Sequence, residues 1–165
     1  MPFTPFHFGP GLLVKSVIPG TFSFVSFVGT QVVIDLESVY NLQTQRWPVH
    51  RFLHSVPGAV IAELLVAVVL GLAVRHVEAA RRLPGLASGE SCWPGLLLGG
   101  LVGGASHSLL DGIMHSDVRL FYPLGTVSNL HGLVGVGSLH VSCVISAVVG
   151  MAVLAVRYHR ERLAG

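Results

Sequence analysis

Three long stretches with almost no charge constrain the fold of this chain more than anything else in its sequence. Residues 120–156 contain no Asp, Glu, Lys or Arg, residues 91–110 contain none, and residues 52–74 contain only Glu63. A helix needs about 20 mostly apolar residues to cross a bilayer, so each stretch is long enough. Charged residues make up 11% of the chain, against roughly 25% in an ordinary soluble domain, and mean hydropathy is +0.70. Lipid is therefore the expected solvent. The competing reading is a soluble domain of buried helices, which rarely needs apolar runs of this length.

Proline and glycine divide the chain into helices. The pattern predicts a short helix over residues 11–18, a turn at Pro19-Gly20 and a second helix over 21–36. "NLQTQRWP" reads as a polar loop. A third helix starts after Ser55 as N-cap, with Pro57 in its first turn, and runs to about residue 80. "RRLPGLASGES" is a connector, a fourth helix covers 93–115, "SDVRLFYPLGTVSN" is a loop, and a fifth covers 130–160. The expected fold is all-α: one integral membrane helical bundle over residues 1–165, with three spanning helices and an N-terminal helical hairpin. A sixteen-residue helix reaches only about 24 Å, short of the bilayer core, so the hairpin is expected to be re-entrant or interfacial. The opening "MPFTPFHFGPG" has no early positive charge and is broken by prolines, so it does not read as a signal peptide. Gly95, Gly99 and Gly103, with Gly100, Gly104 and Ser108, recur at a spacing of four on the fourth helix. Small residues at that spacing let helices approach closely in a membrane.

Tracing the helices as alternating strokes puts Lys15, Arg75, Arg81, Arg82, Arg157, Arg160 and Arg162 at one end, and Arg46, Arg51 and Arg119 at the other. The basic end is expected to be cytoplasmic in a bacterial inner membrane, and the other end periplasmic or exterior. A net charge of +2, without basic and aromatic clustering, gives no reason to expect nucleic acid. Cys92 and Cys143 stand alone, without metal-ligand spacing.

The less basic end collects imidazoles and carboxylates. His7 precedes the first helix, Asp35 and Glu37 end the second, and His50 and His54 precede the third. His107, Asp111 and His115 form one stripe at i, i+4, i+8 on the fourth, and His131 opens the fifth. Imidazole nitrogen and carboxylate oxygen are the ligand set of Zn²⁺ and similar divalent ions. One short segment cannot complete such a site, whereas several converging segments can. The alternative is a purely structural hydrogen-bond cluster, but ionisable groups inside a membrane protein are expensive and default to function. His76, His140 and His159 read as interfacial rim residues, and Glu63 as a partner behind the ligands. His115, Glu37 and His131 stay undecided on pattern alone. No Gly-x-Ser-x-Gly, phosphate-binding Gly-rich loop or His-Glu-x-x-His occurs.

Taken in order, "MPFTPFHFGPG", "VVIDLE", "HRFLHS" and "GGASHSLLDGIMH" resemble a family of small bacterial membrane proteins described as membrane-bound metal-dependent hydrolases. Many of its members have no assigned function. The resemblance covers the chain to about residue 124 and departs from the family pattern at Ile34-Asp35, usually Pro-Asp, and Leu53-His54, usually Thr-His. That family is similar in turn to the all-helical zinc-dependent phospholipases C and single-strand nucleases. The resemblance implies a divalent metal, zinc first, held among His7, Asp35, His50, His54, His107, Asp111 and His115. It also implies cleavage of phosphoesters, small or lipid, by a metal-activated water, with Asp35 or Asp111 bridging ions or orienting the water. Arg51 and Arg119 lie at the same end as candidates for holding a phosphate, with interfacial anchoring as the alternative. The main competing functions are a membrane protein that binds metal for structure, sensing or transport, and a helical scaffold for a protein partner.

Overall fold

Capping serines start two of the helices where the sequence places them. In the computed structural model, which describes residues 5–77, 92–125 and 130–164, Ser23 Oγ accepts from Ser26 N–H at 3.3 Å and Ser55 Oγ accepts from Gly58 N–H at 3.2 Å. Each satisfies a donor that the first helical turn leaves open. Among the described residues the chain forms five helices and no strand: α1 (Phe8–Val17), α2 (Phe24–Gln43), α3 (Val56–His76), α4 (Trp93–Met114) and α5 (Val136–Ala164). A single 3₁₀ turn, Pro5–His7, leads into α1. Residues 1–4, residues 78–91 with the whole connector, Arg81 and Arg82 included, residues 126–129 and residue 165 lie outside the described residues.

Several helix ends differ from expectation: the third helix ends at His76 rather than at about residue 80, and two larger differences bear on the site. The expected second helix stops at residue 36, but α2 runs on to Gln43. Asp35 and Glu37 do not mark an exit to water. Asp35, Ser38 and Asn41 are buried on the inner face of α2, and Asn41 Nδ2 donates to the Val49 carbonyl at 3.0 Å. The fifth helix begins six residues later than expected. Gly132, at φ 79°, adopts a left-handed conformation that a continuing helix excludes, which leaves His131 exposed in the turn before α5.

The bundle is polar inside and apolar outside. α4 is central, packed against α2 on one side and α3 on the other, while α5 packs mainly on α1. Leu64, Leu65, Val68, Val69 and Leu72 of α3, and Val141, Val144, Ile145 and Val148 of α5, are exposed. His54, His107, Gln31, Thr30 and Ser26 are fully buried beside Phe22, Phe27, Ile34 and Leu96. In water this arrangement would forfeit the hydrophobic effect; in lipid it is the stable one. Three helices, α3, α4 and α5, are long and apolar enough to cross a membrane.

Glycine sets how closely the central helices meet. A Cβ on Gly99 would run into the Ser23 carbonyl oxygen, and one on Gly103 would lie 2.7 Å from the Phe27 carbonyl oxygen. The next stripe round, Gly100 and Gly104, faces Glu63 and Ala59 of α3. α4 thus presents one small-residue stripe to each neighbour. At the foot of the first stripe, Ser26 Oγ donates to the Leu96 carbonyl at 2.7 Å and Ser23 N–H to the Gly95 carbonyl at 3.1 Å.

Gly103→Val is expected to force α2 away from α4 and lower stability by about 1–3 kcal/mol, the usual cost of overpacking. Gly137→Ala, where an added Cβ meets nothing within 4 Å, is expected to leave stability unchanged or slightly raised. Thermal unfolding of the two variants in detergent, followed by circular dichroism, checks both.

Candidate metal centre

Asp111 lies on the inner face of α4, one turn beyond His107, and both side chains are buried. Its two oxygens point to different neighbours. Oδ2 lies 3.3 Å from His107 Nε2 and 3.4 Å from His54 Nε2, and Oδ1 lies 3.5 Å from His7 Nε2. Asp35 of α2 brings Oδ1 to 3.5 Å from His107 Nε2. Asp35, His54, His107 and Asp111 each offer one ligand atom, and these atoms all lie within 4.8 Å of one another. Four ligands about 2.1 Å from a tetrahedral ion stand about 3.4 Å apart, and the three separations above of 3.3–3.5 Å match that edge. A second group, His50, Asp111 and His115, meets the same criterion and shares Asp111.

The imidazoles are turned so that Nε2 faces inward. His107 Nδ1 faces Gln31 Oε1 at 3.4 Å, while Gln31 Nε2 donates to the His7 carbonyl at 3.1 Å. That second bond turns the amide oxygen toward His107, where it is an acceptor for a proton on Nδ1. His54 Nδ1 faces Glu37 Oε2 at 3.4 Å, and His50 Nδ1 faces Asp117 Oδ1 at 2.9 Å. An oxygen acceptor behind a histidine sets the tautomer and ring orientation that metal ligation needs. The acceptors are themselves held. Glu37 Oε2 accepts from Arg51 N–H and Leu53 N–H, and Asp117 Oδ2 from Val49 N–H and His50 N–H.

Several buried atoms at this point have no hydrogen-bond partner among the described residues: both ring nitrogens of His7, and His107 Nε2. Orphaned buried nitrogens of this kind call for an explanation, and an electron-pair acceptor supplies one. The donor set of imidazole and carboxylate fits a divalent ion. Burial holds the His7 ring well below its usual range, at about 4, against the pull of Asp111. Burial also lowers His50 and His115. Burial acts downward on His54 too, but Asp111 and Glu37 outweigh it and raise that ring to about 9. Burial works to raise Asp117, yet the His50 bonds prevail and lower it.

The candidates from the sequence fall into place unevenly. His54, His107, Asp35 and Asp111 share one site, and His7 abuts it edge-on to His107, with ring centroids 4.9 Å apart. His50 and His54 lie on a loop rather than a helix, yet their rings still meet at 4.7 Å. His115, just past the end of α4, stacks on His50 at 4.3 Å. Arg51 and Arg119 are exposed beside this group, lining a cavity with His50, Glu37 and Tyr122. Glu63 does not back the ligands: its stem fits against Gly100, in a groove between α3 and α4. His131 is exposed and belongs to neither ligand group, and His140 stacks on Phe6 at 4.4 Å. Gln31, Ser38 and Asp117 were missed from sequence. Ser38 Oγ lies 3.2 Å from His54 Nε2. Gln31, Asp35 and Ser38 form an i, i+4, i+7 stripe that becomes visible once α2 is extended to residue 43. Asp117 stands two residues beyond His115.

A model of the YdjM inner membrane protein family matches residues 13–164. No curated protein and no solved structure matches the chain.

Removing an outer-shell acceptor of this type typically costs 10–100-fold in metal affinity. Glu37→Ala, which removes the acceptor behind His54, is accordingly expected to weaken Zn²⁺ binding by about 10–100-fold with the helices intact. Competition with a coloured chelator gives the affinity, and circular dichroism the helix content.

Proposed function

We propose that this chain, which belongs to the YdjM inner membrane protein family and is an inner membrane protein, is a metal-dependent hydrolase of phosphoester bonds. One observation carries the reading. The buried Asp111-centred group opens, at His50, onto a cavity of about 340 Å³ that is also lined by Arg51 and Arg119. A place for a cation thus adjoins a place for an anion. The resemblance of "HRFLHS" and "GGASHSLLDGIMH" to membrane-bound metal-dependent hydrolases supports the same reading.

In this scheme Asp35, His54, His107 and Asp111 hold the ion, with Zn²⁺ the first candidate for this ligand set. When bound, such an ion supplies Lewis acidity and brings the pKa of water down to about 7. Asp111 links the two ligand groups through its shared carboxylate. Asp35 commits Oδ1 to the histidine side and keeps Oδ2 to orient the attacking water. Arg51 is pre-set, its Nε donating to the Pro48 carbonyl at 3.1 Å and Nη2 to the Trp47 carbonyl at 3.0 Å. With Arg119 it receives the phosphate oxygens and balances the charge that grows on them. The excess of basic residues at the opposite end supports placing this site away from the cytoplasm.

Purified protein is expected to hold at least one divalent ion by elemental analysis and to cleave phosphodiesters. His107→Ala and Asp111→Ala should each lose the ion and at least about a hundredfold in turnover, the scale of removing a principal catalytic group. Tightly bound metal with no turnover across lipid, nucleotide and model phosphoesters would instead assign a structural, sensing or transport role.

A further inference from the structure

A second cavity, about 380 Å³, opens between α3 and α4 and is lined by Val60, Glu63, Ala105, Leu109, Leu120 and Phe121. It is almost wholly apolar, and its rim residues Val60, Leu109 and Phe121 are 40%, 51% and 58% exposed. Both flanking helices are candidate membrane spans, so the groove opens sideways to hydrocarbon. From Val56 to Glu63, seven residues of α3 give the groove a length of about 10 Å along the helix. There Glu63 lays its stem against Gly100.

The groove and the arginine cavity share one wall. Within the four residues 119–122, Leu120 and Phe121 face the groove while Arg119 and Tyr122 face the polar cavity. That wall is fixed to the head of α3, where Val56 N–H donates to the Leu120 carbonyl at 2.8 Å. An apolar slot open to lipid therefore sits back to back with a cavity holding two guanidinium groups and reaching His50. This pairing is complementary to one kind of molecule: an amphiphile whose anionic phosphate is linked through a short polar backbone to a hydrocarbon tail.

We propose that the α3–α4 groove is a binding site for one acyl chain of a membrane phospholipid, entering laterally from the bilayer, with its phosphate in the Arg51–Arg119 cavity. The proposal rests on the hydrolase reading only for what happens to the lipid afterwards; the binding itself does not depend on turnover. The phosphate is held by paired guanidinium donors. The groove adds the packing contacts of its apolar walls to the phosphate's ion pairs and guides the tail. It admits the tail in the register that sets the phosphate beside His50.

The full-length protein in detergent, with its metal as purified, can be titrated with a short-chain diacyl phosphonolipid, which resists hydrolysis. The same phosphonate headgroup without acyl chains, and inorganic phosphate, serve as the two comparison probes. The diacyl probe is expected to bind at least tenfold more tightly than the acyl-free headgroup. Ala105→Trp, which fills the groove from an exposed position, should erase that difference while leaving headgroup binding unchanged. Arg119→Ala should weaken both. Val60→Phe fills the same groove from α3 and serves if Ala105→Trp does not fold. Equal binding of the two headgroup probes, or a groove-filled variant that keeps the acyl preference, would overturn the proposal. Acyl-dependent binding without turnover of any phosphoester would overturn the hydrolase reading alone. Equally fast cleavage of soluble and lipid phosphodiesters, insensitive to Ala105→Trp, would overturn this one alone.

Discussion

The carboxylate of Asp111 is buried in a bundle whose outer surface is made for hydrocarbon, and that single group organises the molecule around it. Moving an isolated carboxylate from water into a medium of low dielectric constant costs on the order of 20 kcal/mol in the idealised limit. Nothing on α4 alone can meet that cost. Imidazoles converge on Asp111 from two other segments, His7 ahead of α1 and His54 from the loop before α3, and from the preceding turn of α4, His107. Each arrives by a different route, so the polar interior ties together segments that hydrophobic packing alone would not hold in lipid.

That convergence depends on the glycine stripes. His107 meets Gln31 and Asp35 only because α2 and α4 run close together below them, where Gly99 and Gly103 leave room for the backbone of α2 at Ser23 and Phe27. The second stripe does the same for α3, whose head carries the His54 loop. The wall at residues 119–122 belongs to the same design. It is hydrogen-bonded to the head of α3 and packs Leu120 over Gly112, so the arginine cavity is indexed to the helices that present Asp111.

Much of this is legible in the sequence, and the exceptions have physical causes. The three spans follow from apolar length, and the Ser55 cap and Pro57 follow from helix-start chemistry. The convergence of His7, Asp35, His54, His107 and Asp111 on one end follows from counting strokes between turns. The reading fails where burial reverses the meaning of a polar residue. Asp35, Ser38 and Asn41 look like the end of a helix because such residues favour caps and turns in water. Inside a membrane bundle the polar face is the inner face, so the same residues mark a helix that continues. Glu63 fails in the opposite sense: an acid within a span suggests a partner of the ligands, but its angular position on α3 turns it to Gly100 and the lipid-side groove. Asp117 is invisible to periodicity because it lies beyond the end of α4 and acts through a loop, where no spacing rule applies.

The arrangement also differs from that of a plain hydrogen-bond cluster and could hold a metal ion. In a cluster built for hydrogen bonding, each buried ring would have both nitrogens paired. Here the Nδ1 atoms of His50, His54 and His107 face oxygen acceptors, while both nitrogens of His7 and Nε2 of His107 find no partner among the described residues. Charge points the same way. Asp35, Glu37, Asp111 and Asp117 bring four carboxylates to the site, and Asp111 and Glu37 raise the unliganded His54 ring to about 9, holding a proton that a divalent ion would displace from Nε2. The remaining rings outside the spans, His7, His50 and His115, are held toward the neutral form, chiefly by burial. A cavity with surplus negative charge and inward lone pairs is under-satisfied by its own residues. A divalent cation at the shared edge of Asp111 would complete it on both counts.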